Sequence, residues 1–347
     1  MFLKHTYECL PYFSPDFKSS PELQDLFEFF KKLPLHPISI ISYTSDAIVS
    51  SPSITSNSHL HSDMVSKIHN IKGKKHSIQM KIHTINITID IFGNETILNF
   101  IKVIIPVIQF ICSLSETTTT SLHLTYYLLD VPKHLPKKSS QPLTSYEINS
   151  GMCSIYEKSS EIVIYRKEEI LKVTIHELIH SLKYDDLYDF NNTLIHKYQK
   201  QYNVFLKNLH INESYTELWS RLLHSFILSK NDINLFIKYV GFEYQYSHFQ
   251  CGKLQKIIQH QPDLTQCSNI IPYYFITCEL WKQLHKFLQM SKVMNHNYIK
   301  ITKPKEWFSF ILSLDKINIK NIEELNKIKK NYLTTTLTMT ILQPILF

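Results

Sequence analysis

Arg166-Lys167-Glu168-Glu169-Ile170-Leu171-Lys172-Val173-Thr174-Ile175-His176-Glu177-Leu178-Ile179-His180-Ser181-Leu182 runs without a Gly or Pro, and its spacing predicts one helix over the whole stretch. Glu168 and Glu169 fall in the opening turn, where carboxylates suit the positive end of the helix dipole. Leu171, Ile175, Leu178 and Leu182 share an apolar face, as a helix lying on a core requires. His176 and His180 are one turn apart, roughly 6 Å along the axis at 1.5 Å per residue, so both imidazoles leave the same side. That geometry fits one tetrahedral metal ion. Glu177 lies about 100° around the helix from His176, which sets its carboxylate beside such an ion, within reach of a proton on an activated water.

The bare His-Glu-x-x-His pattern is not specific. With 18 His in 347 residues, it arises by chance in about one sequence in twenty of this composition. Its setting in an amphipathic helix, followed by a second acidic helix, adds weight. Here the chain resembles the zincin metallopeptidases. The resemblance implies Zn2+ held by three protein ligands, a fourth position left to water, a peptide or protein substrate, and Glu177 as catalytic general base. The metzincin form of the motif needs Gly at position 183 and His at 186, where this chain has Lys183 and Asp186.

The gluzincin form takes its third ligand from a Glu on a second helix, in an Asn-Glu-x-x-x-acid context, and Asn212-Glu213-Ser214-Tyr215-Thr216-Glu217 matches it. The implied metal ligands are His176, His180 and Glu213. Glu217, one turn on, would accept the second ring N–H of a ligand histidine. The roles of Glu213 and Glu217 are interchangeable on spacing alone, and Asp185, Asp186 and Asp189 stay open as alternative ligands. In zincins an edge strand above the metal helix pairs with the substrate backbone. By that resemblance the segment from Asn149 through Gly151 to Cys153 is the substrate edge, with a plain core hairpin as the alternative. Tyr246 and His248 are chosen as the donors that share the oxyanion's charge. The Ile-, Lys- and Asn-rich composition, with the run from Asn149-Ser150-Gly151 through the metal helix to Glu217, is also similar to uncharacterised metallopeptidase-like proteins of large DNA viruses.

The rest of the composition frames these motifs. A hydrophobic fraction of 44% allows a sizeable core, and 20 Tyr and 20 Phe against 5 Gly favour a helix-rich protein. The net charge of +7 comes from scattered Lys without interleaved aromatic residues, so no nucleic-acid partner is expected. Six Cys without Cys-x-x-Cys spacing read as reduced thiols, and the first residues lack a secretory pattern. The expected location is therefore cytoplasmic, in a host cytoplasm or a virion if the chain is viral. Ile97 to Leu114 is long enough to cross a bilayer, but Asn99, Lys102, Pro106 and Gln109 interrupt it. A buried helix is expected there, with no membrane span.

In chain order, Pro21 to Lys32 predicts a helix capped by Ser19 or Ser20, and Thr44 to Ser66 a polar loop. Ile78, Met80, Ile82, Ile85, Ile87, Ile89 and Ile91 alternate as one or two strands do. Strands are also expected at Leu122 to Leu129, Glu147 to Ile155 and Glu161 to Tyr165. Helices follow at Asp232 to Val240, Phe249 to Gln259, Tyr273 to Met290 and Ile322 to Ile341. The expected class is α+β, zincin-like, with a small mixed sheet, an active-site helix and a mainly helical C-terminal lobe. Its expected divisions are residues 1–66, 67–230 and 231–347. The alternative function is a non-catalytic structural or virion-associated protein on the same fold.

Overall fold

The structure, a computed structural model, describes residues 2–13, 17–48, 60–93, 97–136, 143–187, 192–259, 269–317 and 332–346. It combines a six-stranded mixed sheet with many helices, an α+β composition. The chain divides into two compact units that interleave along the sequence rather than follow one another. One is built from residues 33–132, 149–184 and 345–347, the other from residues 1–32, 133–148 and 185–344.

The first unit holds the sheet, ordered β1-β2-β3-β4-β6-β5. These strands are β1 (Ile38–Ala47), β2 (Lys74–Ile82), β3 (Ile85–Gly93), β4 (Ser121–Leu129), β5 (Gly151–Ile155) and β6 (Ser159–Arg166). The Ile alternation, read as one or two strands, is two: β2 and β3, joined as a hairpin. Ile78, Met80, Ile82, Ile85, Ile87, Ile89 and Ile91 are all buried on one face, and β2 pairs antiparallel with β3. β3, β4 and β6 are parallel neighbours. Helix Leu98–Ser113 provides the β3-to-β4 crossover that parallel pairing requires. Its Phe100 meets Tyr126 of β4 edge to face. Among the described residues no helix is long and apolar enough to cross a membrane.

Three sequence expectations change along this part of the chain. The segment read as a loop from Thr44 carries the second half of β1, an edge strand exposed along most of its length. Such a strand has no core face to write an apolar alternation. Helix Ser62–His69 also begins inside that segment, while residues 49–59 lie outside the described ones. The strand expected from Glu147 is a short helical turn, Ser145–Ile148, before β5 starts at Gly151.

The second unit is mostly helical. Helix Pro21–Lys31 starts as expected, with Ser20 Oγ accepting from the Leu23 N–H. Helices Asn212–Ser229 and Ile233–Ile258 pack together across a turn in which Lys230 and Asn231 take left-handed conformations and Asp232 caps the second helix. Ile233–Ile258 is one unbroken helix where the sequence suggested two. Gly241 lies inside it because Phe17 packs directly onto that turn; a Cβ at Gly241 would stand 2.5 Å from Phe17 Cβ. The region expected as one helix from Tyr273 is a π-helical turn, Ile271–Ile276, leading into helices Thr277–Lys282 and Leu284–Met294. Of the last expected helix, residues 318–331 lie outside the described ones. Tyr332–Thr335 is helical, and residues Thr336 to Gln343 run buried without regular structure.

Candidate metal centre

The helix that carries the motif begins later than its sequence suggested. It spans Ile170–Ser181; Arg166 closes β6 instead of opening the helix, and no acid occupies the first helical turn. The reason is the fully buried Arg166 side chain. Its Nη1 donates to the carbonyls of Val131 and Pro132 at 2.7 and 3.1 Å, and its Nε to that of Asn149 at 3.1 Å. A guanidinium that satisfies three backbone carbonyls holds its residue in the sheet. Glu169 then turns the chain in a left-handed conformation, φ 62°, as the N-cap.

The end of the helix is equally well defined. Lys183 takes φ 57°, its N–H donates to the His180 carbonyl, and the Tyr184 N–H to that of Ile179. These two bonds make a Schellman termination just after the second histidine. Thr119 and Ser160 hydroxyls donate to the Ser181 carbonyl, and Thr117 to that of Leu182. Between its ends no helix residue is more than 8% exposed. The helix is thus enclosed all round, where the sequence predicted only one apolar face.

Within this enclosure His176 and His180 meet. Their Nε2 atoms are 3.1 Å apart, with ring centroids at 4.8 Å and planes tilted by 75°. Two neutral imidazoles can place one proton between those nitrogens; a cation takes both lone pairs. Glu177, 7% exposed, turns toward β5, where its Oε1 lies beside Gly151. The phenol of Tyr165, on β6, is pushed well above its ordinary range by burial, and the Glu177 charge adds to that shift. Ser181 Oγ donates to the Glu177 carbonyl at 2.8 Å and lies 3.0 Å from Cys153 Sγ.

The remaining acids belong to the helical unit. Glu213, half-buried in the first turn of helix Asn212–Ser229, accepts from Asn269 Nδ2 at 2.9 Å. Glu217 is completely buried and receives Arg221 Nε at 2.8 Å, within its own helix and with both side chains sealed from solvent. Asp185 sits beside the first turn of that helix and accepts from the side chains of Asn212 (Nδ2) and Thr216 (Oγ1) at 3.2 and 2.9 Å, near the positive helix end that suits a carboxylate. Asp186 is half-buried, and Asp189 lies outside the described residues.

Tyr246 is built into a core cluster with Phe13, Phe242, Leu333 and Ile341, its hydroxyl at 2.7 Å from both Thr338 Oγ1 and Gln250 Nε2. His248 turns its Nδ1 back to the Tyr244 carbonyl at 2.8 Å. Of the expected substrate edge, Gly151 to Cys153 lie in β5, while Asn149 precedes the strand. Arg221, Asn269 and Tyr165 were not singled out by sequence reasoning. Arg221 offered one signal, its place four residues after Glu217, where opposite charges meet on a helix. No protein-family model, curated protein or solved structure matches this chain.

Proposed function

We propose that this protein is a zinc-dependent, gluzincin-like metallopeptidase in which His176, His180 and Glu213 hold the metal and Glu177 is the general base. The observation that carries the reading is the convergence of the two histidine Nε2 atoms at 3.1 Å in a buried setting. Two nitrogens each about 2.0–2.1 Å from one tetrahedral ion stand about 3.3 Å apart, so the pair fits zinc without rearrangement. The donor set fits as well, in the chemistry of its three side chains. Two imidazoles and a carboxylate are the ligands of a catalytic zinc that keeps one position open.

Bound there, zinc would supply a Lewis acid that polarises a peptide carbonyl and makes a water acidic. Glu177 removes the proton from the attacking water and returns it to the leaving amine. β5, the last strand of the sheet among the described residues, has Glu177 beside its Gly151, and its outer edge suits an extended peptide laid down as a further strand. Metal analysis of the purified protein, followed by cleavage of a quenched-fluorescence peptide library, tests the reading. One zinc per chain with cleavage abolished by a chelator is expected; a protein that takes up no zinc, with melting unchanged by chelation, overturns it.

A further inference from the structure

Gly151 opens β5 and pairs with Ile164 of β6. Gly151 and Cys153 face the motif helix, Gly151 at Val173 and Glu177 and Cys153 at Ser181. Two residues of strand advance about 6.7 Å and four of helix about 6 Å, so β5 tracks the ridge formed by Val173, Glu177 and Ser181. A Cβ at Gly151 would stand 2.9 Å from Val173 Cγ1, 3.1 Å from Glu177 Oε1 and 3.2 Å from the Val163 carbonyl oxygen. Gly151 is not among the glycines with left-handed φ, so space rather than backbone conformation excludes a side chain.

The three walls of this gap differ in stiffness. The Val163 carbonyl belongs to the β6 backbone, which is paired with β5 on one side and β4 on the other. Val173 is buried and β-branched, with one strongly preferred rotamer in a helix. The Glu177 carboxylate is the end of a flexible side chain and gives way first.

We infer that Gly151 is a positioning residue for Glu177, its missing side chain leaving the carboxylate the place from which it reaches the attacking water. The inference rests on the peptidase reading above. A general base acts within about 2.6–3.2 Å of the proton it takes, and misplacement by 1 Å costs up to about a hundredfold in rate. An added methyl group therefore acts on turnover and leaves substrate affinity and metal content alone.

The test compares wild type with Gly151→Ala, Val173→Ala and the double variant. It measures zinc per chain, kcat and KM on the peptide library, and the visible absorption of the cobalt-substituted proteins at one fixed pH. Gly151→Ala is expected to keep its metal and its KM within about twofold while kcat falls about tenfold or more, and its cobalt bands shift because the carboxylate beside the metal has moved. Val173→Ala alone stays close to wild type. Added to Gly151→Ala, it recovers most of kcat, since the new methyl can then lean away from Glu177. Wild-type kcat and cobalt spectrum in Gly151→Ala, or a double variant no better than the single one, overturn the inference. If metal binds but no library peptide is cut, the peptidase reading fails and takes the inference with it, whereas cleavage by wild type with an unchanged Gly151→Ala variant overturns the inference alone. A wild-type protein that takes up neither metal removes both.

Discussion

Nε2 of His176 faces Nε2 of His180 at 3.1 Å, one helical turn apart on a helix sealed from solvent. Replacing either histidine by Ala leaves a single nitrogen, so bound zinc should fall from one per chain to near zero. Ligand linkage supplies a second readout. Free zinc at a hundred times its dissociation constant adds about 2.7 kcal/mol to wild-type stability. The corresponding rise in melting temperature should vanish in His180→Ala.

Glu177→Gln keeps the size of the side chain and removes the proposed base. Zinc content should stay at the wild-type value while kcat falls about 10²- to 10⁴-fold, the usual weight of a positioned general base. Steady-state kinetics beside metal analysis checks both. Equal cleavage by the two proteins would remove Glu177 from the mechanism.

Glu213 and Glu217 stand one turn apart, yet their surroundings separate them. Glu217→Gln leaves the completely buried Arg221 guanidinium against a neutral amide, and breaking such a pair costs about 3–5 kcal/mol. Glu213→Gln, at a half-buried position, should cost less than about 1 kcal/mol while lowering zinc affinity. Urea denaturation of the two metal-free variants, with zinc titration of each, distinguishes the fold-bearing carboxylate from the proposed metal ligand.

Glu243 sets a pH dependence. Its Oε1 accepts from Thr340 Oγ1, Ile341 N–H and Leu342 N–H at 2.5, 3.1 and 3.3 Å. Burial nevertheless outweighs these bonds and the Arg221 charge, and the carboxyl is pushed up to about 7. The folded state therefore keeps a proton that the unfolded chain releases above 4.5. This contribution is complete below that value and is lost as pH rises through about 7. Glu279, also raised to about 7 by burial, acts in the same direction. Lys253, lowered to about 7 by burial, makes stability rise again at higher pH. Melting temperature should fall between pH 4.5 and 7, and the fall should be roughly halved in Glu243→Gln, which mimics the protonated carboxyl.

What lay in the sequence was whatever a few neighbouring residues decide among themselves. The Ile alternation marked the strand region of β2 and β3, the apolar run marked helix Leu98–Ser113, and a four-residue spacing put His176 and His180 on one side of a helix, because strand and helix periods need no other part of the chain. Tertiary structure decided the rest. The start of the motif helix depends on carbonyls of Val131, Pro132 and Asn149 drawn to Arg166, β1 depends on pairing with β2, and the need for a glycine at 241 comes from Phe17 packed onto that turn. The assignment of Glu217 to Arg221, and the gap that Gly151 leaves for Glu177, follow from burial and from contacts between segments distant in the chain. Local spacing cannot encode either, because the free energy of a charge or a methyl group depends on what the folded chain brings to its side.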